Sequence, residues 1–432
     1  MIADLIIIGG GPAGYHAAEL AAKNGLTTVL FEKRAVGGVC LNEGCIPSKA
    51  LLHTAKLYDY AKGGAAPYGV RCDNPVLDYA AAVKRKDKVV KKLVAGIEAS
   101  LKNAGVEIVR EAAEIQGRTE SGFTVSDRQA KNLLLCTGSE PVLPPIKGIE
   151  KALTNREILA LTEVPKELTV LGGGVIGLEM ASLFHSAGSA VTVVEMTDKI
   201  AGSFDRDISE LLQKTYEKKG VTFKLNTKLD EITGTTLVST GRRPAAAGNG
   251  FENINLLVEN GAVVTDETMQ TNIPGVYAAG DVNGKSMLAH TAYREAEVAV
   301  NTILGKKDKM EYNAIPSVIY TNPEAASIGE TLERAKAKGT NAAETSLSMM
   351  YSGRFMADNE RGEGLCKLVW DRDPQTAAAR LIGAHMLGNP ASEIISTLSA
   401  VLFREMTIGQ IKKIVFPHPT VSEIVKEAVF HA

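Results

Sequence analysis

The chain has 432 residues, of which 45% are hydrophobic and 23% charged, and its formal net charge is -2. That length exceeds what one hydrophobic core serves and predicts two to four domains. So balanced a charge gives no general attraction to nucleic acid or an anionic membrane, and five cysteines are too few for a secreted disulfide scaffold.

The first predicted element is a strand over residues 5–8. It opens without a basic leader, and no apolar stretch reaches membrane-spanning length, so a cytoplasmic protein with no signal peptide is expected. The strand runs into Gly9-Gly10-Gly11-Pro12-Ala13-Gly14, then a small-residue helix to Gly25, then a strand over 27–31 ending at Glu32. Such a strand, turn, helix and strand binds dinucleotides. The first glycine makes the tight turn, the second lets backbone approach a pyrophosphate, and the third packs the helix on the strand. The phosphate rests on the helix N-terminus, and a carboxylate such as Glu32 takes the ribose hydroxyls.

Next comes Gly37-Gly38-Val39-Cys40-Leu41-Asn42-Glu43-Gly44-Cys45-Ile46-Pro47-Ser48-Lys49. Positions five apart in an undisturbed helix lie ~8 Å apart, too far for a disulfide. A Cys40–Cys45 bridge therefore requires a distorted turn, which Gly44 permits. Pro47 is tolerated only near a helix start, so Cys45 is expected at a helix N-terminus, where a thiolate is favoured. The spacing makes the pair a candidate redox disulfide. Cys72, Cys136 and Cys366 have no evident partners and read as buried or inert thiols. The basic run at 84–92 reads as the solvated face of a long helix, because Val83, Val89, Val90, Leu93, Val94 and Ile97 recur at helical intervals.

A second copy of the nucleotide device follows. A strand over 168–171 leads to Gly172-Gly173-Gly174-Val175-Ile176-Gly177, a helix to Gly188 and a strand over 190–194 ending at Glu195. Gly9, Gly14, Gly25 and Glu32 each recur at an offset of 163 residues. After Glu195 come Met196, Thr197 and Asp198, with no cation for a 2′-phosphate, which favours NAD over NADP. The first copy leads directly to the cysteine pair, so its ligand should exchange electrons with sulfur; a flavin does so and also exchanges hydride with a nicotinamide. The stretch 272–281 reads as a buried strand ending in Gly280-Asp281, where a carboxylate can hold a ribityl hydroxyl, and Met287-Leu288-Ala289-His290 opens a further helix. Near the C-terminus, two prolines flank His418, and Glu423 follows at a helix start that Thr420 or Ser422 could cap. A carboxylate-oriented histidine is suited to proton transfer, whereas a loop histidine beside a capping glutamate would look the same in sequence. His16, His53, His185 and His385 lack such context.

Together these motifs resemble the pyridine nucleotide-disulfide oxidoreductases, most closely the members that oxidise dihydrolipoyl groups, over nearly the whole chain. The resemblance is carried by Cys-Leu-Asn-x-Gly-Cys-Ile-Pro-Ser-Lys at 40–49, Ser-Thr-Gly-Arg-Arg-Pro at 239–244, Met-Leu-Ala-His at 287–290 and His-Pro-Thr-x-Ser-Glu at 418–423. It implies an α/β chain with two Rossmann-like dinucleotide-binding domains plus a C-terminal α+β dimerisation domain. The expected divisions are an FAD-binding domain at 1–140, a shortened NAD-binding domain at 141–262, a return to the FAD or central domain at 263–312, and a dimerisation domain at 313–432, where the apolar helix at 394–403 suits an interface.

The resemblance also implies roles. Cys40 would be attacked by the substrate dithiol and Cys45 would face the flavin. His418 of the partner subunit would take the thiol proton, with Glu423 holding its ring, so that a homodimer is needed. Lys49 would lie near the hydride-carrying edge of the flavin and pair with Glu179. FAD would be held by Gly9, Gly11, Pro12, Ala13, Gly14, Glu32, Lys33, Gly38, Val39, Thr137, Gly138, Ser139, Gly280, Asp281, Met287, Leu288, Ala289 and His290. NAD would be held by Gly172, Gly174, Val175, Ile176, Gly177, Glu195 and Gly241. The expected partners are dihydrolipoyl groups on carrier domains of 2-oxo acid dehydrogenase or glycine cleavage complexes; no metal, nucleic acid or membrane is expected. Three departures stand out. The chain between Glu195 and Ser239 is several tens of residues shorter than the family pattern, consistent with loss of a hairpin. Ala113 stands where glycine is usual near an adenine, and Glu43 replaces a commonly apolar residue. The shortening supports one alternative, a flavin-bearing assembly subunit with weakened NAD reactivity; a related NAD(P)H-dependent disulfide reductase is the other.

Overall fold

The computed structural model describes residues 2–359, 362–372 and 379–432. The amino-terminal strand β1 (Ile2–Ile8) is apolar and almost wholly buried from Leu5 onward, as a strand covered on both faces must be. Helix α1 (Pro12–Lys23) starts with proline in its first turn and turns Ala13, Ala17, Ala18 and Ala21 inward, so it lies close on the sheet before β2 (Thr28–Phe31). Then come α2 (Gly38–Glu43), α3 (Cys45–Asp59) and the long α4 (Tyr79–Asn103), whose Asp78 cap accepts from the Ala81 N–H at 2.8 Å. Strands β3 (Glu107–Val109), β4 (Ile115–Thr119), β5 (Gly122–Val125) and β6 (Arg128–Leu135) complete this part of the chain.

These strands form one seven-stranded sheet in the order β3-β2-β1-β6-β5-β4, with a later strand also pairing β6. After β7 (Ser139–Pro141) and α5 (Asn155–Ala160), a second unit repeats the pattern: β8 (Glu167–Leu171), α6 (Val175–Ala187), β9 (Ala190–Val194), α7 (Arg206–Lys219), β10 (Thr222–Lys224) and β11 (Thr236–Val238). Its parallel sheet runs β10-β9-β8-β11. Even the register repeats, since Leu5 pairs with Thr28 and Ile8 with Phe31, while Leu168 pairs with Val191 and Leu171 with Val194.

Where the second unit is short, the connection between the units covers it. Ile232, Leu171, Val194 and Val238 form a small cluster against which Ile146, Ile149, Ala152 and Leu229 pack. The backbone seals the edge through Ile232 N–H to Lys147 O at 2.9 Å and Leu153 N–H to Thr236 O at 2.8 Å. Strand β12 (Arg242–Pro244) pairs with β7, and a small hairpin of β13 (Val258–Glu259) and β14 (Ala262–Val263) follows. The chain then re-enters the first sheet as β15 (Val276–Ala278) beside β6 and continues into α8 (Ala289–Ile303).

The C-terminal part is an antiparallel sheet of β16 (Ser317–Ile319), β17 (Ala325–Gly329), β18 (Ala342–Ser348), β19 (Leu365–Arg372) and β20 (Ala379–Leu387), in the order β16-β17-β20-β19-β18. It carries α9 (Leu332–Ala337), α10 (Gly353–Asp358), α11 (Ala391–Phe403), α12 (Ile408–Ile411) and α13 (Glu423–Phe430). No helix among the described residues is long and apolar enough to cross a membrane.

Three local expectations are corrected. The strand expected over 272–281 is confined to Val276–Ala278, because Gly275, with φ +85°, turns the chain just before it. Lys86 does not join the solvated face of α4; it is buried and donates to Leu159 O at 3.0 Å. Neither Thr420 nor Ser422 caps α13 with its side chain; instead the Thr420 N–H donates to Glu423 at 2.9 Å. Among the thiols outside the pair, Cys136 and Cys366 are buried and Cys72 is exposed.

Candidate redox site

Helix α2 is entered through Gly37, held at φ +101°, and it stops at Gly44, whose φ of -147° and ψ of -109° leave the helical region. Helix α3 then begins afresh at Cys45. The distortion required by the cysteine spacing is thus a complete break between two helices. It brings the Cα atoms of Cys40 and Cys45 within 4.8 Å, and the two sulfurs are joined. A Cβ on Gly44 would stand 3.0 Å from Val39 O and 3.3 Å from Cys40 Cα, so the close approach depends on glycine there. Cys45 occupies the first position of a 15-residue helix, where free N–H groups and the dipole favour a thiolate.

One cleft of ≈ 3040 Å³ contains this disulfide and both glycine turns. Nearly every residue expected at the site lines it, Lys33, Gly38, Val39, Thr137, Gly138, Met287, Leu288, Ala289, His290 and Gly241 included. Gly14 and Gly177 do not, and their role is evident in packing: a Cβ would fall 1.8 Å from Gly9 O in one case and 2.1 Å from Gly172 O in the other. Gly9 and Gly172, both at φ near +100°, turn so tightly that a Cβ would meet Cys136 O at 2.3 Å and Ser239 O at 2.5 Å. The middle glycines differ. Nothing lies within 4 Å of a Cβ on Gly174, and only Gly38 Cα, at 3.9 Å, approaches one on Gly11. The chain itself does not fill that space, which fits a pyrophosphate lying against each turn.

The acidic partners are set alike. Glu32 accepts from Gly10 N–H at 2.8 Å and Arg34 N–H at 2.7 Å; Glu195 accepts from Gly173 N–H and Thr197 N–H, both at 2.8 Å. Burial pushes the Glu195 carboxyl up, but the Gly173 and Thr197 donors outweigh it and hold it below the ordinary range. Each carboxylate is therefore locked at the rim of its glycine turn.

Between the two units, Lys49 Nζ donates to both oxygens of Glu179 at 2.9 Å. Glu179 is buried on α6, directly after the second turn, and also accepts from Tyr320 N–H at 3.1 Å. The Lys49 ammonium sits 4.4 Å from the Tyr320 ring centroid, a cation–π contact. On the other side, Ser139 Oγ donates to Asp281 while accepting from Arg242 Nε at 2.7 Å, and the Arg242 guanidinium also donates to Ser139 O at 2.7 Å. Burial raises the Asp281 carboxyl above its ordinary value, opposed by Ser139 and Arg242. The Gly280 N–H before it is held by buried Glu295 at 2.6 Å.

His418 and Glu423 stand apart from this cleft. His418 Nδ1 meets the Glu423 carboxylate at 3.0 Å, and the ring is 81% exposed. The Thr420 N–H and His418 hold the Glu423 carboxyl below its usual range. The other histidines expected to be structural include His385, fully buried between Ser327 Oγ at 2.7 Å and Glu330 O at 2.9 Å. Sequence reading missed Tyr320, Arg242, Asn155 and Arg156. Only Arg242 had a signal, its place in the 239–244 motif; the rest reach the site through tertiary packing.

Residues 3–296 match the family described as pyridine nucleotide-disulphide oxidoreductase, and residues 315–429 match the dimerisation domain of that family. The chain belongs to the pyridine nucleotide-disulphide oxidoreductases, a flavoprotein family whose cofactors here are FAD and NAD, and the dimerisation domain supports a homodimer. Within it, the chain is 37% identical to the dihydrolipoyl dehydrogenase of Chlorobaculum tepidum, over 99% of this chain and 97% of that one. It is 36% identical to the mitochondrial dihydrolipoyl dehydrogenase of Pisum sativum, over 98% of this chain and 90% of that one. Among solved structures it is similar to the Cu(II) complex of the HOCl-induced flavoprotein disulfide reductase RclA from Escherichia coli, with a TM-score of 0.87, 26% identity and coverage of 98% and 99% of the two chains. The fold is also that of LpdA from Mycobacterium tuberculosis, with a TM-score of 0.90 and 24% identity over 100% and 99% of the two chains. The Chlorobaculum match spans 461 aligned positions against the 432 residues of this chain, so the relative has residues that this chain lacks.

Proposed function

We propose that this chain oxidises dihydrolipoyl groups on carrier domains of 2-oxo acid dehydrogenase or glycine cleavage complexes and reduces NAD+ to NADH. The observation that carries this reading is the Cys40–Cys45 disulfide opening into one cleft with two nucleotide turns. His418 of the partner subunit takes a proton from one substrate thiol through Nε2, because Nδ1 is engaged by Glu423. The resulting thiolate attacks Cys40 Sγ, forming a mixed disulfide and releasing Cys45 as a thiolate. The second substrate thiol then attacks the mixed disulfide, its proton passing to the departing Cys40 sulfur, so that the lipoyl disulfide leaves with Cys40 a thiol and Cys45 a thiolate. The exposure of His418, away from the cleft of its own chain, supports its service to another subunit.

Bound FAD supplies the two-electron link between this dithiol and NAD+. Gly11, Glu32, Ser139 and Asp281 are suited to hold it, and Gly174 and Glu195 to hold NAD. Cys45, at the α3 N-terminus, holds the thiolate negative charge. Lys49, fixed by Glu179, orients the region between the two units. This reading divides the chain into an FAD part at 1–140, an NAD part at 141–262, a central return at 263–312 and a dimerisation part at 313–432. It places the reaction in the cytoplasm, in keeping with three cysteines left as thiols.

The alternative of an assembly subunit with weakened NAD reactivity draws on the shortened second unit. The matching register and the Glu195 hydrogen bonds of that unit weigh against it. Steady-state NADH formation from dihydrolipoamide by the FAD-loaded protein decides: turnover supports the proposal, and its absence in a flavin-replete dimer overturns it.

A further inference from the structure

Glu43 lies at the hinge of the redox turn, and it is held from two sides. Its carboxylate is paired with the Arg34 guanidinium and, at 3.0 Å, with Arg156 Nε. Its main-chain oxygen accepts from Asn155 Nδ2 at 2.7 Å. Both anchors are fixed in turn. Arg34 follows the nucleotide carboxylate, to which its own N–H donates at 2.7 Å. Asn155 and Arg156 open α5, whose start is set by a Thr154–Glu157 capping box. Asn155 Oδ1 accepts from Arg242, 3.4 Å away, and Arg242 is clamped on Ser139.

We propose that Glu43 and Asn155 form a bracket that keeps the redox turn closed when its disulfide is reduced, and thereby sets the reduction potential of the Cys40–Cys45 pair. This rests on the redox reading above. Reduction adds two electrons and breaks the sulfur–sulfur bond, leaving Cys40 a thiol and Cys45 a thiolate, with the second proton on His418 of the partner subunit. What then separates Cys40 from Cys45 is the freedom of Gly44, a residue that accepts many backbone conformations. Pinning the residue just before that glycine, by side chain and by main chain, removes much of this freedom. The dithiol cannot relax apart, its effective concentration stays high, and the disulfide is favoured. Loosening the bracket releases the dithiol and makes the couple more oxidising. Glu43 and Asn155 touch no reacting atom; they are positioning residues.

The test uses the FAD-loaded protein, equilibrated anaerobically in mixtures of reduced and oxidised dithiothreitol. The disulfide fraction is read by alkylation and mass measurement, so neither lipoyl substrate nor turnover is needed. Glu43→Ala, Asn155→Ala and Asn155→Asp should each shift the equilibrium about five- to tenfold toward the dithiol, the scale of one lost hydrogen bond. A tenfold shift corresponds to about 30 mV. Asn155→Asp is close to isosteric but cannot donate to the Glu43 oxygen, so it separates the hydrogen bond from packing. Glu43→Gln, which keeps an acceptor for one arginine, should shift less than Glu43→Ala. Wild-type equilibria in Glu43→Ala and Asn155→Asp, with flavin content unchanged, would overturn the bracket. Should Glu43→Ala lose flavin through Arg34, Asn155→Asp decides alone, because it leaves that arginine in place. If the equilibria shift but dihydrolipoamide is not oxidised by the wild type, the bracket stands and the substrate assignment fails.

Discussion

The Lys49 ammonium lies 2.9 Å from each carboxylate oxygen of Glu179, so the helix that begins at Cys45 is tied to the helix that follows the second glycine turn. Glu179→Ala leaves Lys49 facing Tyr320 without its counter-charge and loosens the boundary between the units. Reduction of the flavoprotein by NADH should slow about tenfold or more, as misplacement of reacting groups does, while reduction by dihydrolipoamide changes far less. Stopped-flow absorbance separates the two half-reactions. Stability should fall only about 1 kcal/mol, because Lys49 is partly exposed and screened.

His418→Gln should retain flavin and fold, since the ring is exposed, yet lose about 10²- to 10⁴-fold in dithiol oxidation, the usual worth of a positioned base. Glu423→Gln should fall in the same direction but by less, because the Thr420 N–H and the His418 ring keep one acceptor. Steady-state rates with dihydrolipoamide check both, and full activity of His418→Gln would contradict the role.

Lys367, on β19 of the C-terminal sheet, is buried against Asp205 at 3.1 Å, Asp207 at 2.7 Å and Glu344 at 3.0 Å. Burial alone would lower its pKa, but these carboxylates outweigh it and raise the ammonium well above its ordinary value. A raised folded value means that the stabilisation is complete below the unfolded pKa, near 10.5, and is lost as pH climbs through the folded value. Lys367→Met strands buried Asp205 without a cation and should cost about 3–5 kcal/mol in urea unfolding at neutral pH.

Glu195 gives the opposite sign. Its carboxyl is held low, so its contribution is present above the unfolded value and is lost as pH falls through the folded one. Thermal melts from neutral to acid pH should therefore decline less steeply in Glu195→Gln than in wild type. The same substitution removes the charge opposing a 2′-phosphate, so the KM for NADP should fall relative to that for NAD.

The glycine turns were legible in sequence because each glycine answers a local backbone demand: Gly9 and Gly172 adopt positive φ, and Gly14 and Gly177 lie where any Cβ would strike the turn. The cysteine pair was legible because its spacing conflicts with an intact helix, and Gly44 marks where the helix breaks. Less was readable where tertiary packing decides. Lys86 sits in a basic run yet is buried, because the Leu159 carbonyl on another helix meets it. Tyr320 reaches Lys49 from the C-terminal sheet, and Asn155 reaches Glu43 from the connection between units, neither with a pattern of its own. The cover that Ile146, Ile149 and Ile232 provide for the shortened second sheet was likewise invisible, since those residues meet only in the folded chain.

In the proposed reaction, Cys40 and Cys45 carry the electrons of a dithiol toward the bound flavin, which links them to NAD+. The most direct measurement is an anaerobic titration of the FAD-loaded protein with dihydrolipoamide and then NAD+, followed by flavin absorbance. The dithiol should produce a long-wavelength thiolate–flavin band that Cys45→Ser lacks, and NAD+ should restore the oxidised spectrum with formation of NADH. A flavin that dihydrolipoamide leaves oxidised, or a band that persists in Cys45→Ser, would contradict it.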